Sequence, residues 1–121
     1  MQRFVLSFAA LLVVASFSLA APKPHKGKTF SGEIMDSQCA MMGSHDPAGY
    51  KMTKTDNPKD CTLACVKMGG KFVLYDSAKK TTYALDDQEK PKEFAGQKVK
   101  VSGTYDKASK TIHVESIEAG S

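Results

Sequence analysis

Three cysteines and one histidine, Cys39, His45, Cys61 and Cys65, are the residues in this chain whose types and spacing could do chemistry. Cys61 and Cys65 are four positions apart in a segment that reads as helix, so both sulfurs lie on one face with nearly parallel Cβ directions. That arrangement is poor for a bond between the two. Cys39 would have to supply the partner for a disulfide, and the odd count then leaves one thiol over. Such a bond would close a loop of about 20 residues, worth about 3 kcal/mol in the chain-entropy model. The leftover cysteine would sit in the core as a small apolar residue.

The same geometry suits a metal. Three thiolates and the His45 imidazole make a tetrahedral zinc set. With Met41, Met42 and Met68 near in sequence or on the same helix stripe, the soft donors would also take Cu(I). An oxidising compartment sets thiolates in competition with disulfide formation, and a reactive thiol is the third use of the odd cysteine. The disulfide ranks first because the chain carries the marks of export, and the metal set ranks second.

Other chemistries fall away. Gly69-Gly70-Lys71 lacks the spacing of a phosphate loop. Cys61 and Cys65 are neither the C-x-x-C of thioredoxin-like enzymes nor a haem attachment site. No nucleophile elbow singles out a serine. Asp86-Asp87 reads as the cap of a short helix, His113 as a solvated strand residue, and His25 lies outside the folded region. No catalytic set is complete, so the chain does not read as an enzyme.

Met1-Gln2-Arg3 begins with a positive charge, and Phe4 to Leu19 is apolar but for Ser7, Ser16 and Ser18. Ser18-Leu19-Ala20 offers small residues for a cut before Ala21. This is the layout of a secretory signal over residues 1–20, too short and too poorly flanked for a membrane anchor. Export to a periplasmic or extracellular space follows, with no transmembrane segment after cleavage. Residues 21–28, rich in Pro and Lys, read as a disordered basic tail. Cleavage would remove Arg3, the only arginine of the chain, leaving lysines in slight excess over the thirteen acidic residues. Nucleic-acid readers lean on arginine for bidentate contacts, so no nucleic-acid partner is expected.

The elements that must position the cysteines fit one domain over residues 29–119. Thr29 to Asp36 alternates with period two and reads as a strand. Ser37 to Asp56, rich in Gly, Ser, Asp, Pro and Lys, reads as a long loop. Asn57-Pro58-Lys59-Asp60 starts a helix that Gly69-Gly70 ends, with Cys61, Ala64, Cys65 and Met68 as its apolar stripe. Lys71 to Tyr75 and Thr82 to Leu85 read as a strand pair around the turn 76–80. A short helical segment ends at Phe94-Ala95. The last two strands place Val99, Val101, Ile112 and Val114 inward, and Ile117 breaks that phase, predicting a bulge near Glu115-Ser116. The order predicts a mainly β (α+β) fold, a small five-stranded OB-like barrel with the cysteine-bearing helix inserted between strands 1 and 2. An open five-stranded antiparallel sheet is the alternative.

The segments 32–39 (GEIMDSQC), 61–74 (CTLACVKMGGKFVL) and 94–105 (FAGQKVKVSGTY) together resemble a family of small secreted bacterial proteins of unknown function, over about residues 30–118. The resemblance implies an OB-like β domain carrying Asp36, Cys39, His45, Cys61 and Cys65, and it implies no activity. The expected function is an exported binding or structural module, stabilised by a disulfide, for an unknown small ligand or envelope component. A metal-binding protein using zinc or copper and a thiol-redox protein are the alternatives.

Overall fold

The computed structural model describes residues 27–45 and 47–120. The signal sequence and residues 21–26 of the basic tail lie outside the described residues, and Lys28, read as part of that tail, instead opens the first strand. Strand β1 (Lys28–Asp36) leads into three helices, α1 (Ser37–Met42), α2 (Pro47–Thr53) and α3 (Pro58–Lys67). Strands β2 (Phe72–Asp76) and β3 (Thr81–Leu85), a 3₁₀ turn (Lys90–Phe94), and strands β4 (Lys98–Asp106) and β5 (Thr111–Ala119) complete the chain. The fold is mainly β, and its sheet closes into a ring in the order β1-β2-β3-β5-β4. Closure needs one parallel strand contact, Ala84 to Thr111 and Leu85 to Ile112; the other pairings between strands are antiparallel. This rules out the open, wholly antiparallel sheet.

Inward alternation fills the ring. Ile34, Phe72, Leu74, Val99, Val101 and Ile112 are almost fully buried there, with Tyr83, Leu85 and Ala95. Val114, expected inside, is only partly buried, whereas Lys98, Lys100 and His113 face out as their phase requires. Three tilted rings, Phe30, Tyr83 and Tyr105, pack with centroids 5.2–5.7 Å apart. The predicted bulge is present: Ser102 pairs with Ser116 and Gly103 with Val114, leaving Glu115 as the extra residue. A Cβ on Gly103 would collide with the His113 carbonyl, so the two strands can approach here only at a glycine. Gly96 has φ +73°, and a side chain there would strike the backbone of Pro58 and Lys59 at the start of α3.

Two expectations are corrected. Ser37 to Asp56 is not a loop but carries α1 and α2. Asp36 Oδ2 accepts from the backbone N–H of Gln38 (3.1 Å) and Cys39 (3.0 Å), capping α1, and Gly43 ends it in the left-handed conformation. Helices this short have no apolar stripe of their own and form by packing on the sheet, so periodicity could not show them. Asp86 does not cap the 3₁₀ turn. It accepts the Val114 N–H (2.8 Å) and meets His113 Nδ1 (3.0 Å), joining the end of β3 to β5, while Asp87 Oδ1 accepts the N–H groups of Glu89 and Lys90 at the start of the turn.

The three helices cover the outer face of β1 and β2. Because strand side chains alternate, Met35, Val73 and Tyr75 point out of the ring and form a second buried layer with Cys39, Ala40, Cys61 and Cys65. β1 is therefore buried on both faces at its end.

Candidate metal centre

Helix α3 forms where the sequence predicts. Asn57 caps it through the Asp60 N–H (2.9 Å), Pro58 stands in the first turn, and Asp60 places a negative charge near the N-terminus. Its buried face carries Cys61, Thr62 and Cys65. Met68, expected on that stripe, is instead 57% exposed, because the helix ends before its side chain can reach the sheet.

Cys39 comes from the first turn of α1. The sulfurs of Cys39, Cys61 and Cys65 all lie within 4.8 Å of one another, and each residue is at most 1% exposed. All three are free thiols; the bond from Cys39 to a helical cysteine is not made in this structure. Asp36, Cys39 and His45 also bring one ligand atom each within 4.8 Å of one another, so Cys39 joins the thiol cluster to a carboxylate and an imidazole. Of the four residues proposed from sequence as metal ligands, the three cysteines share one cluster, and His45 adjoins it through Cys39.

His45 follows α1 and is held by two neighbours. Its Nε2 lies 3.1 Å from Glu33 Oε1, and its ring stacks on Tyr50 at 6.2 Å with planes 15° apart. The side chain is 7% exposed, and its Nδ1 is buried with no partner. With Nε2–H donating to Glu33 Oε1, Nδ1 presents a lone pair. A metal-ligating histidine is commonly fixed this way, by a carboxylate on its other ring nitrogen. Asp36 Oδ1 is likewise buried and unpartnered, whereas Oδ2 serves the α1 cap.

Helix α2 closes the layer with Gly49, where a Cβ would stand 3.7 Å from Cys39 Sγ and 3.8 Å from Cys61 Sγ. Thr53 Oγ1 sits 3.7 Å from Cys61 Sγ. Burial pushes the Cys65 thiol up to about 11, with the Asp36 charge and Cys61 adding to the effect. Burial also raises Cys39, further than Cys65, helped by the hydrogen bond and charge of Asp36 and by the two other cysteines. A bound cation would reverse this balance and favour the thiolates.

Glu33, Gly49, Tyr50 and Thr53 were not expected at the site, and Asp36 only through the family resemblance. Glu33 had a signal, since it alternates with Met35 on the outer face of β1. The residues of α2 had none without its position.

Among the described residues no helix is long and apolar enough to cross a membrane. No curated protein and no solved structure matches this chain. Over residues 66–120, from the last turn of α3 through β5, the chain is similar to a family described as a protein of unknown function, DUF5818, and that segment stops short of Cys39, His45, Cys61 and Cys65.

Proposed function

We propose that this is an exported protein that binds one zinc-class cation on Cys39, Cys61, Cys65 and His45, held outside an OB-like barrel. The observation that carries the reading is three buried, unbonded sulfurs within 4.8 Å of one another beside a histidine whose buried Nδ1 has no partner. Three sulfurs and one nitrogen fit the four-coordinate preference of Zn²⁺, and Glu33 supplies the orienting carboxylate such sites use. A closed set of four protein ligands is the mark of a structural or storage site rather than a catalytic one. The charged start and apolar run of residues 1–19 support export.

The test is cobalt substitution. Metal-free, reduced protein should take up one equivalent of Co²⁺ and develop thiolate-to-metal charge-transfer absorption, which Zn²⁺ then bleaches. His45→Ala should weaken the uptake, and Cys61→Ser should remove most of the charge-transfer intensity. Absence of that absorption in the reduced wild-type chain would overturn the reading. It would return the cysteines to a Cys39 disulfide and the barrel to a binding module for a small ligand or envelope component.

One observation favours Cu(I) as a second reading. The large apolar side chains exposed among the described residues are Met41, Met42, Met52 and Met68, all on or at the end of the helices covering the cluster. Thioethers are soft donors for that ion. Competition between the two metals at one equivalent of protein decides which is held.

A further inference from the structure

A cavity of about 370 Å³ lies on the outer face of β1 and β4, walled by the loop 43–45 and the turn after β2. Its polar lining includes Ser31, Glu33, His45, Lys98 and Lys100, with Met35 and Tyr75 on the side toward the cysteines. In the sheet register Glu33 stands opposite Lys98 and Ser31 opposite Lys100, so these side chains share one face. His45 belongs to both places: it lines the cavity, and one of its ring nitrogens lies within 4.8 Å of Cys39 Sγ. Met35 and Tyr75 likewise line the cavity and pack in the cysteine layer. The thiols themselves are sealed from solvent, so a metal must pass some wall to reach them.

Charge distinguishes what could dock there. Glu33 is engaged by His45, and Asp76 Oδ1 accepts the N–H groups of Ala78 and Lys79 in its own turn. Lys98 and Lys100 form no ion pair with a carboxylate among the described residues. The cavity lining therefore offers two ammonium groups that no carboxylate pairs with, two carboxylates already held by their own hydrogen bonds, and the His45 imidazole.

We infer that this cavity is the port through which metal reaches the cysteine cluster, carried as a small anionic chelate that docks against Lys98 and Lys100 and passes its ion to His45. The inference rests on the metal reading above. The step is ligand exchange without redox change. The carrier's donor atoms leave the ion as the His45 nitrogen and the three sulfurs bind it, the thiol protons go to solvent, and the free carrier departs. Occupancy of the cavity by a carrier also places it beside Glu33 and His45, where it can act on the imidazole before the sulfurs are engaged.

Stopped-flow loading of the reduced, metal-free chain tests this, with Co²⁺ given either as the aqua ion or as its anionic nitrilotriacetate complex. Ser31→Trp fills the cavity from an exposed strand position. It should slow loading and release by about tenfold each while leaving the equilibrium affinity unchanged, as a blocked path must. Ala108→Trp, in the exposed turn between β4 and β5 and outside the cavity lining, should load at the wild-type rate. The double variant Lys98→Glu/Lys100→Glu should slow loading from the nitrilotriacetate complex more than from the aqua ion, a difference that salt should diminish. Wild-type rates in Ser31→Trp, or slowing that follows a proportional loss of affinity, would overturn the port. Equal slowing from both metal forms in the lysine variant would overturn the anionic carrier. A wild-type chain that binds no metal from either form would instead overturn the underlying reading, which makes the two failures distinguishable.

Discussion

The two buried regions of this molecule are built from different materials. The interior of the ring is hydrocarbon, with Ile34, Phe72, Leu74, Val99, Val101 and Ile112 packed together. The layer between sheet and helices is built from Met35, Cys39, Ala40, Cys61, Cys65, Val73 and Tyr75, with Gly49 beside two of the sulfurs. Among the described residues, the buried side-chain polar atoms without partners are Asp36 Oδ1 and His45 Nδ1, which adjoin Cys39, and Thr62 Oγ1 on α3. Such atoms cost about 1–3 kcal/mol each when left unsatisfied. The ring is held by apolar burial and by its strand ladders. In the helical layer, a cation among Cys39, Cys61, Cys65 and His45 would give His45 Nδ1 the partner it lacks.

The largest expected effect separates the two by mutation. Leu74→Ala, at a fully buried position in the ring, should lower stability by about 2–5 kcal/mol in denaturant unfolding, with or without metal. Cys65→Ala should cost the metal-free chain much less, since it removes one small side chain, yet it should abolish tight metal binding. Equal losses at the two positions in metal-free protein would erase the distinction.

Removing the metal is the next sharpest probe. Chelation should accelerate amide hydrogen exchange across α1, α2 and the buried face of α3 while β2, β4 and β5 keep their protection. Uniform acceleration through the strands would show the two regions to be one cooperative unit.

Much of the ring was legible in the sequence because its signal is local. Period-two alternation at Val99 and Val101 and at Ile112 fixes the inward face, and the phase break at Ile117 marks the extra residue at Glu115. Helix α3 announced itself through Asn57 and Pro58. The helical layer was legible only in its ligands. Cys61 and Cys65 at one-turn spacing are a local fact, whereas α1 and α2 take their stability from the sheet beneath and look like loop when read alone. The roles of Glu33 and Asp36 arise from contacts across the fold. Glu33 meets His45 twelve residues away, and Asp36 is buried only because three helices cover the end of β1.

A smaller change addresses that pairing. Glu33→Gln should keep the fold and weaken metal affinity about 10–100-fold, because the amide no longer fixes the imidazole as a carboxylate does. Restoration by Glu33→Asp with partial affinity would support positioning by charge. An unchanged affinity in Glu33→Gln would remove Glu33 from the site.

The smallest effect is in alkali. Burial raises the folded-state thiols of Cys39 and Cys65 above the ordinary value of 9.0, Cys65 to about 11. A raised folded value means that the stability it brings is complete below about pH 9 and drains as pH climbs through about 11. The thermal midpoint of metal-free protein should therefore slope down over that range. Cys39→Ala/Cys65→Ala should flatten the slope, and a slope unchanged by those substitutions would place the alkaline loss elsewhere.

The most direct test of the central claim is native mass spectrometry of the protein isolated from the cells that make it, paired with a thiol count on the denatured, unreduced chain. The account predicts one metal ion per chain and three reactive thiols once a chelator is present. A metal-free mass two hydrogens below the reduced chain, with a single reactive thiol, would contradict it.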